Sequence, residues 1–596
     1  MARSKFWDVI DGYSRESGHR RFLSSDYSGK VTARKRRVSR GGFAKLLSGL
    51  QRLIIYSSAK AYGAAALSFG LLTVIIGFLR NYTTAIGDTL TVTLIFGAAC
   101  AILAIPLLLT ERPLAFVFQD NAITDYVFFE LLCMKRVPRT GSERSVPTAI
   151  ASLVGILLAV IGYFVPTWVI VAAAGALLTV CLGISSPEFS FLLTVMLLPY
   201  SSASDGMFVV FHALIGLTFL SMILKISYGK RVIFFNQYDI IIALIMVMIV
   251  ISGIFMKGSE SFGSASSMLL MTFGYTVSSC LISNRRLADC ALGTLVISAV
   301  PVSVISAYRF FSAVRAGQAS ALIGVGIAST FTDTVACALF LLTSICSAAA
   351  LMRQGSGVLR ILCSAAMLLM LFALVLTGEA TALVALIFGL LVYAIIKTRY
   401  FSILLLPLLL LLPYWVLFLS ETTQSAICSV IPSLSQIGSL SELWSSMLTV
   451  ISKHPMIGIG MGDVSFDQEM LLLGLPYTDG AHNLLLELAL QAGIPCAALF
   501  IILMAVRLRH LAVYYPYVKS SEVAKLCPIL AVTLFVFMFY GSTAYIWHSM
   551  DSFYLFWVVF GIGGALLRIA AREHDDRVNY YEDNSANDAS DLDVSL

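Results

Sequence analysis

Runs of about twenty apolar residues, the length that crosses a bilayer core, recur along this chain and limit its fold more than any other property. AYGAAALSFGLLTVIIGFL from Ala61 and YFSILLLPLLLLLPYWVLFL from Tyr400 are two of them. Neither shows the polar-apolar alternation of a membrane strand, so the spanning elements are helices rather than the staves of a barrel. Hydropathy places about sixteen spans, centred near residues 70, 99, 157, 175, 194, 216, 248, 274, 299, 343, 368, 389, 409, 495, 537 and 560. The expected fold is all-α, a polytopic transmembrane bundle of about 14–16 spans with one large extracytoplasmic loop. A hydrophobic share of 58% beside a charged share of 12% leaves no room for a soluble class.

Charge sets the expected orientation. The first sixty residues hold fourteen Lys/Arg and four acids, while the tail after Arg577 carries Glu582, Asp583, Asp588, Asp591 and Asp593 with no Lys or Arg. The basic segment 1–55, with the amphipathic FAKLLSGLQRLIIYSSAK from Phe43, suits anionic lipid headgroups and argues against nucleic acid as a partner. The acidic tail 569–596 is expected to be disordered. With the N-terminus inside, the even-numbered exits carry Lys135, Lys225, Arg285, Arg353, Lys397, Arg507 and Arg568, which agrees with the positive-inside rule. Both termini are then cytoplasmic, in a multi-pass plasma or inner membrane protein, and the loop of about 420–482 lies outside.

That loop ends in HPMIGIGMGDVSFDQEMLLLGLPYTDGAHNLLLELALQAGIP, from His454 to Pro495. Loops this long are uncommon and usually functional. SELWSSMLTVISKHP has Leu443, Met447, Val450 and Ile451 at helical spacing, which predicts a helix lying along the membrane surface. Gly458, Gly460 and Gly462 do not form a nucleotide fingerprint and read as a tight turn. A helix starting near Asn483 would put Asn483, Glu487 and Gln491 on one face and would break at Gly493-Pro495, leaving a half-helix before the next span. His482 precedes it, and a neutral imidazole is a competent general base for a hydroxyl. No CxxC or Cys/His spacing calls for a metal, and no cofactor is expected.

Trp444, His454-Pro455, Gly458, Gly460, Gly462, His482-Asn483, Glu487 and Gly493 together resemble the pattern of the O-antigen ligase and polymerase-like membrane family. FTDTVACALFLLTSICSAAAL from Phe331 and LTGEATALVALIFGLLV from Leu376 resemble two of its upstream spans. The resemblance runs over about 185–568 and leaves 56–184 as additional N-terminal membrane helices. It implies a metal-independent glycosyltransferase that acts outside the membrane, taking glycan from a polyprenyl-diphosphate carrier and passing it to an acceptor glycan or lipid in cell-surface polysaccharide biosynthesis. His482 takes the place of the family's proposed base. The family's diphosphate-holding arginines are replaced here: its Ser-Arg falls on Glu379-Ala380, and GSLSELW lacks the arginine that often precedes the loop tryptophan. Arg309 and Arg315, in SAYRFFSAVRAGQAS, are the substitutes by position, because guanidinium is the best side chain for a diphosphate. Asn483, Glu487 and His454 complete the expected substrate contacts. Two other classes remain open on the residues alone: a multi-span transporter or lipid flippase, and a non-catalytic scaffold for surface-polymer assembly.

Overall fold

The computed structural model describes residues 57–83, 90–134, 136, 146–227, 237–255, 259–317, 326–354, 357–398, 437–461, 471, 481–517 and 523–593. The expected amphipathic segment before residue 57, the span near 409 and the loop residues 462–470 and 472–480 lie outside them. The described residues are helical and carry no named strand. They fall into two compact units, one comprising 57–190 with 217–227 and the other 191–216 with 237–593.

The first unit contains α1 (Ala59–Thr83), α2 (Leu90–Leu108), α3 (Thr148–Phe164) and α4 (Thr167–Ser185). Lipid offers no hydrophobic drive for helix association, so small residues that allow close backbone approach must supply the contact. Gly70 does so: a Cβ there would stand 2.6 Å from the Gly97 carbonyl oxygen. Gly155 faces α1 as tightly, with a Cβ driven into the Ala65 carbonyl and the Ser68 hydroxyl. Ser68 Oγ donates to the Ser152 carbonyl at 3.0 Å across the same seam. Outward faces stay apolar, as at Ile102 and Leu103.

α5 (Pro187–Leu197) and α6 (Asp205–Ser227) pass from one unit to the other. The expected span near 194 is a short piece: Pro187 opens α5 and Pro199 sits in the 3-10 turn Leu198–Tyr200 that ends it. The second unit continues with α7 (Gln237–Phe255), α8 (Ser259–Leu281), α9 (Arg285–Arg315), α10 (Thr334–Gln354), α11 (Gly357–Leu376), α12 (Ala380–Thr398), α13 (Ile437–Lys453), α14 (Leu484–Ala492), α15 (Ile494–Tyr517), α16 (Cys527–Gly541) and α17 (Met550–Asp593). Among the described residues nine helices are long and apolar enough to cross a membrane, and five shorter apolar helices accompany them. α16 is buried along its whole length, and the membrane portion of α17 is nearly as enclosed. Trp547, Phe553, Phe556, Trp557 and Phe560 stack on one another there, which makes the centre of the unit aromatic.

α17 runs on through Asp593. One expectation changes. Arg507, expected in a cytoplasmic exit, is 0% exposed and sits inside the bundle. Its guanidinium carbon lies 3.8 Å from the Tyr238 ring centroid and 4.3 Å from that of Phe560, while its three nitrogens lack hydrogen-bond partners among the described residues.

Candidate functional site

The two halves of the loop motif fold onto each other. Of the positions at helical spacing, α13 buries Met447, Val450 and Ile451, while Leu443 is half-buried and the neighbouring Trp444 is buried in its stead. It stops at Lys453, and the Gly458 N–H donates to the His454 carbonyl at 3.1 Å to close the turn that follows. The chain then runs beside the end of α14. Ile459 N–H donates to the Leu490 carbonyl at 2.9 Å and Gly460 N–H to that of Gln491 at 3.2 Å, so carbonyls that a terminating helix would leave unpaired are satisfied. Ile494 N–H donates back to the Pro455 carbonyl at 2.9 Å.

This approach is possible only with glycine. Gly458 has φ +77°, and a Cβ there would lie 2.5 Å from the Gln491 carbonyl oxygen. Gly493, at φ +90°, would drive a Cβ into the Met456 carbonyl. The expected half-helix is therefore present: α14 ends at Ala492, capped by Gly493, and α15 begins at Ile494. Ser252 Oγ from α7 also donates to the Gln491 carbonyl, and Met461 N–H donates to Ser261 Oγ on α8 at 2.8 Å. The loop is thus tied to the bundle on two sides.

His482 stands at the head of this unit. It is exposed and has φ +46°, a left-handed conformation uncommon for a residue with a side chain but enriched in histidine. Its neighbours fix it there. Ala481 N–H donates to Glu487 Oε2 at 2.7 Å, and the Ala481 carbonyl accepts from Trp444 Nε1 at 2.9 Å. Asn483 caps α14, its Oδ1 accepting from Leu485 and Leu486 N–H, and its Nδ2 donates to the Ser542 carbonyl at 3.0 Å. Gln491 Nε2 bridges Glu487 Oε1 at 2.9 Å and the Tyr545 hydroxyl at 3.0 Å.

Asn483 and Glu487, expected as substrate contacts, are 0% and 3% exposed and bonded to protein groups. They hold the backbone that carries His482. His454 is half-buried at the turn after α13. Arg309 and Arg315 are exposed on the last turns of α9. They lie at the same end of the unit as His482, since α9 finishes where α10 starts and cross-ties link the other helix ends there: Thr334 to Glu379, Asn483 to Ser542, and Ser201 to Asp551. No hydrogen bond among the described residues joins either arginine to His482.

Glu379 directly precedes α12. Its Oε1 accepts from Thr334 Oγ1 at 2.7 Å. Asp333 accepts from Ala336 N–H and so caps α10. At both places a carboxylate meets the positive end of a helix dipole, the favourable arrangement. Sequence reasoning missed Tyr545, Ser542 and Ser252, which complete the support of α14. It also missed Asp551, an ionisable residue at the head of an apolar span and detectable as such.

Residues 365–501 match the family model described as O-antigen ligase. The matched stretch contains His454, Gly458, His482, Asn483, Glu487 and Gly493, and it excludes Arg309 and Arg315. Among curated proteins none matches the chain.

Proposed function

Starting from a multi-pass membrane chain that is O-antigen ligase-like over residues 365–501, we propose that it is a glycosyltransferase of the ligase or polymerase type. It would transfer or polymerise glycan from a polyprenyl-diphosphate carrier at the outer face of the cytoplasmic membrane, in cell-surface polysaccharide biosynthesis. The observation that carries this reading is the fixed presentation of His482. An exposed imidazole sits at the head of a half-helix, and both amide groups of the preceding residue are bonded by Trp444 and Glu487.

In this mechanism His482 takes the proton of an acceptor hydroxyl as that oxygen attacks the anomeric carbon, and the diphosphate departs with the bonding pair. Asn483, Glu487, Gln491 and Trp444 act as positioning residues. Arg309 and Arg315 are the candidate cations for the diphosphate.

The test must respect the backbone at residue 482. His482→Asn keeps a residue that tolerates positive φ while removing the base. Transfer from a lipid-linked donor by the purified protein is expected to fall about 10²–10⁴-fold. Full retention of transfer would remove His482 from the mechanism. A second reading, a non-catalytic scaffold, draws support from Glu379-Ala380 standing where the resemblance would place Ser-Arg, and lipid-linked glycan binding without turnover in the wild-type protein would favour it.

A further inference from the structure

A cavity of about 230 Å³ opens within the second unit between the α5–α6 turn, the start of α10 and the start of α17. Its wall holds the hydroxyls of Ser202, Ser204, Thr332 and Ser549, the carboxylates of Asp205 and Asp551, and the ring of Phe208. Asp551 is buried and oriented, each carboxylate oxygen accepting from one serine, Ser201 or Ser202. Among the described residues no Lys or Arg lines the cavity.

This wall is built for a ligand rich in hydroxyl donors. Carboxylates accept from hydroxyl groups in charge-assisted bonds, serine and threonine serve as either partner, and an aromatic face packs on the C–H side of a ring. The same wall is wrong for phosphate, because two carboxylates and no cation would repel it. The volume falls below the ~300–1,000 Å³ of drug-sized sites and suits a single ring. The cavity is also joined to the His482 unit through one short connection, residues 542–549 between α16 and α17. Its Ser542 carbonyl accepts from Asn483, its Tyr545 hydroxyl accepts from Gln491, and its Ser549 side chain lines the cavity.

We infer that this cavity binds one sugar ring of the acceptor, uncharged or amine-bearing. The inference rests on the glycosyltransferase reading above. A donor ring would bring its diphosphate within one bond of the anomeric carbon, and none of the described lining residues is a Lys or Arg to neutralise it. The acceptor ring carries no such group.

Saturation-transfer NMR on the purified full-length protein in nanodiscs tests this, with methyl glucoside and methyl glucosaminide as probes and inorganic pyrophosphate as competitor. Both glycosides should receive saturation from the wild-type protein, and pyrophosphate should not displace them. Thr332→Trp fills the cavity from an exposed position and should abolish the signal. Asp205→Asn should weaken binding about tenfold through loss of one charge-assisted hydrogen bond, with unchanged circular dichroism. An equal signal in wild type and T332W, no signal in wild type, or displacement by pyrophosphate would overturn the assignment. His482 does not line the cavity, so H482N separates the two claims. Transfer retained in H482N would defeat the proposed mechanism and leave glycoside binding standing. Absent binding with transfer lost in H482N would do the reverse.

Discussion

Alanine at position 458 would set a methyl carbon 2.5 Å from the Gln491 carbonyl oxygen at a φ of +77°. Such a backbone conformation alone disfavours a side chain by about 1–3 kcal/mol. Gly458→Ala is therefore expected to unseat the loop from the end of α14, lowering the melting temperature and abolishing transfer together. A melting temperature equal to wild type would show that the contact is not needed. Trp444→Phe is the gentler change at the same unit: it keeps a buried ring and removes only the donor to Ala481, a loss of about 1 kcal/mol. Its expected signature is a lower turnover rate with an unaltered KM for the lipid donor, which a purely structural role for Trp444 would not produce. The glycines, Asn483 and Trp444 were all legible as a pattern, since each is a residue type that a turn, a cap or a buried donor demands. What each one touches was not legible, because Trp444 meets Ala481 across thirty-seven residues of sequence.

At the level of elements, the break between α14 and α15 was readable from Gly493-Pro495, where two adjacent signals agree. α5 was harder, because hydropathy counts its apolar residues and does not weigh the prolines at both ends. The burial of Arg507 was hidden for a similar reason: a cation near the end of an apolar run looks the same in sequence whether it emerges or turns inward. α7, α15 and α17 enclose it through Tyr238 and Phe560, and Gly564 leaves room for the guanidinium, since a Cβ there would stand 3.1 Å from its nitrogens. A buried charge with no hydrogen-bond partner among the described residues recovers little of its desolvation penalty, and apolar replacements at buried charged sites are often neutral or stabilising. Arg507→Met should therefore leave the melting temperature equal or raised. A marked drop would reveal that the cation–π pair is a net contributor to the fold.

For the whole molecule, the alternation of helices gathers the loop motif, Arg309, Arg315 and the Asp551 cavity at one end of the second unit. Arg285, Arg353 and Lys397 mark the other. By the positive-inside rule that basic end is expected to face the cytoplasm. Met456→Cys, at an exposed position after α13, should accept a membrane-impermeant maleimide added to intact cells, while Arg360→Cys should react only after permeabilisation. The reversed pattern would invert the orientation and end the case for an outer-face enzyme. α6 belongs half to each unit, and this bears on how the N-terminal helices relate to the rest. Its later half is moored to its own unit by Ser221 Oγ on the Gly183 carbonyl at 2.8 Å and by Thr218 against Ser190 at 2.7 Å. Shearing the gene after residue 190 would strip both moorings and leave the Thr218 and Ser221 hydroxyls of α6 without these partners. The leading helices are thus no detachable ornament, and a shortened chain would need α6 rewritten before it could stand alone.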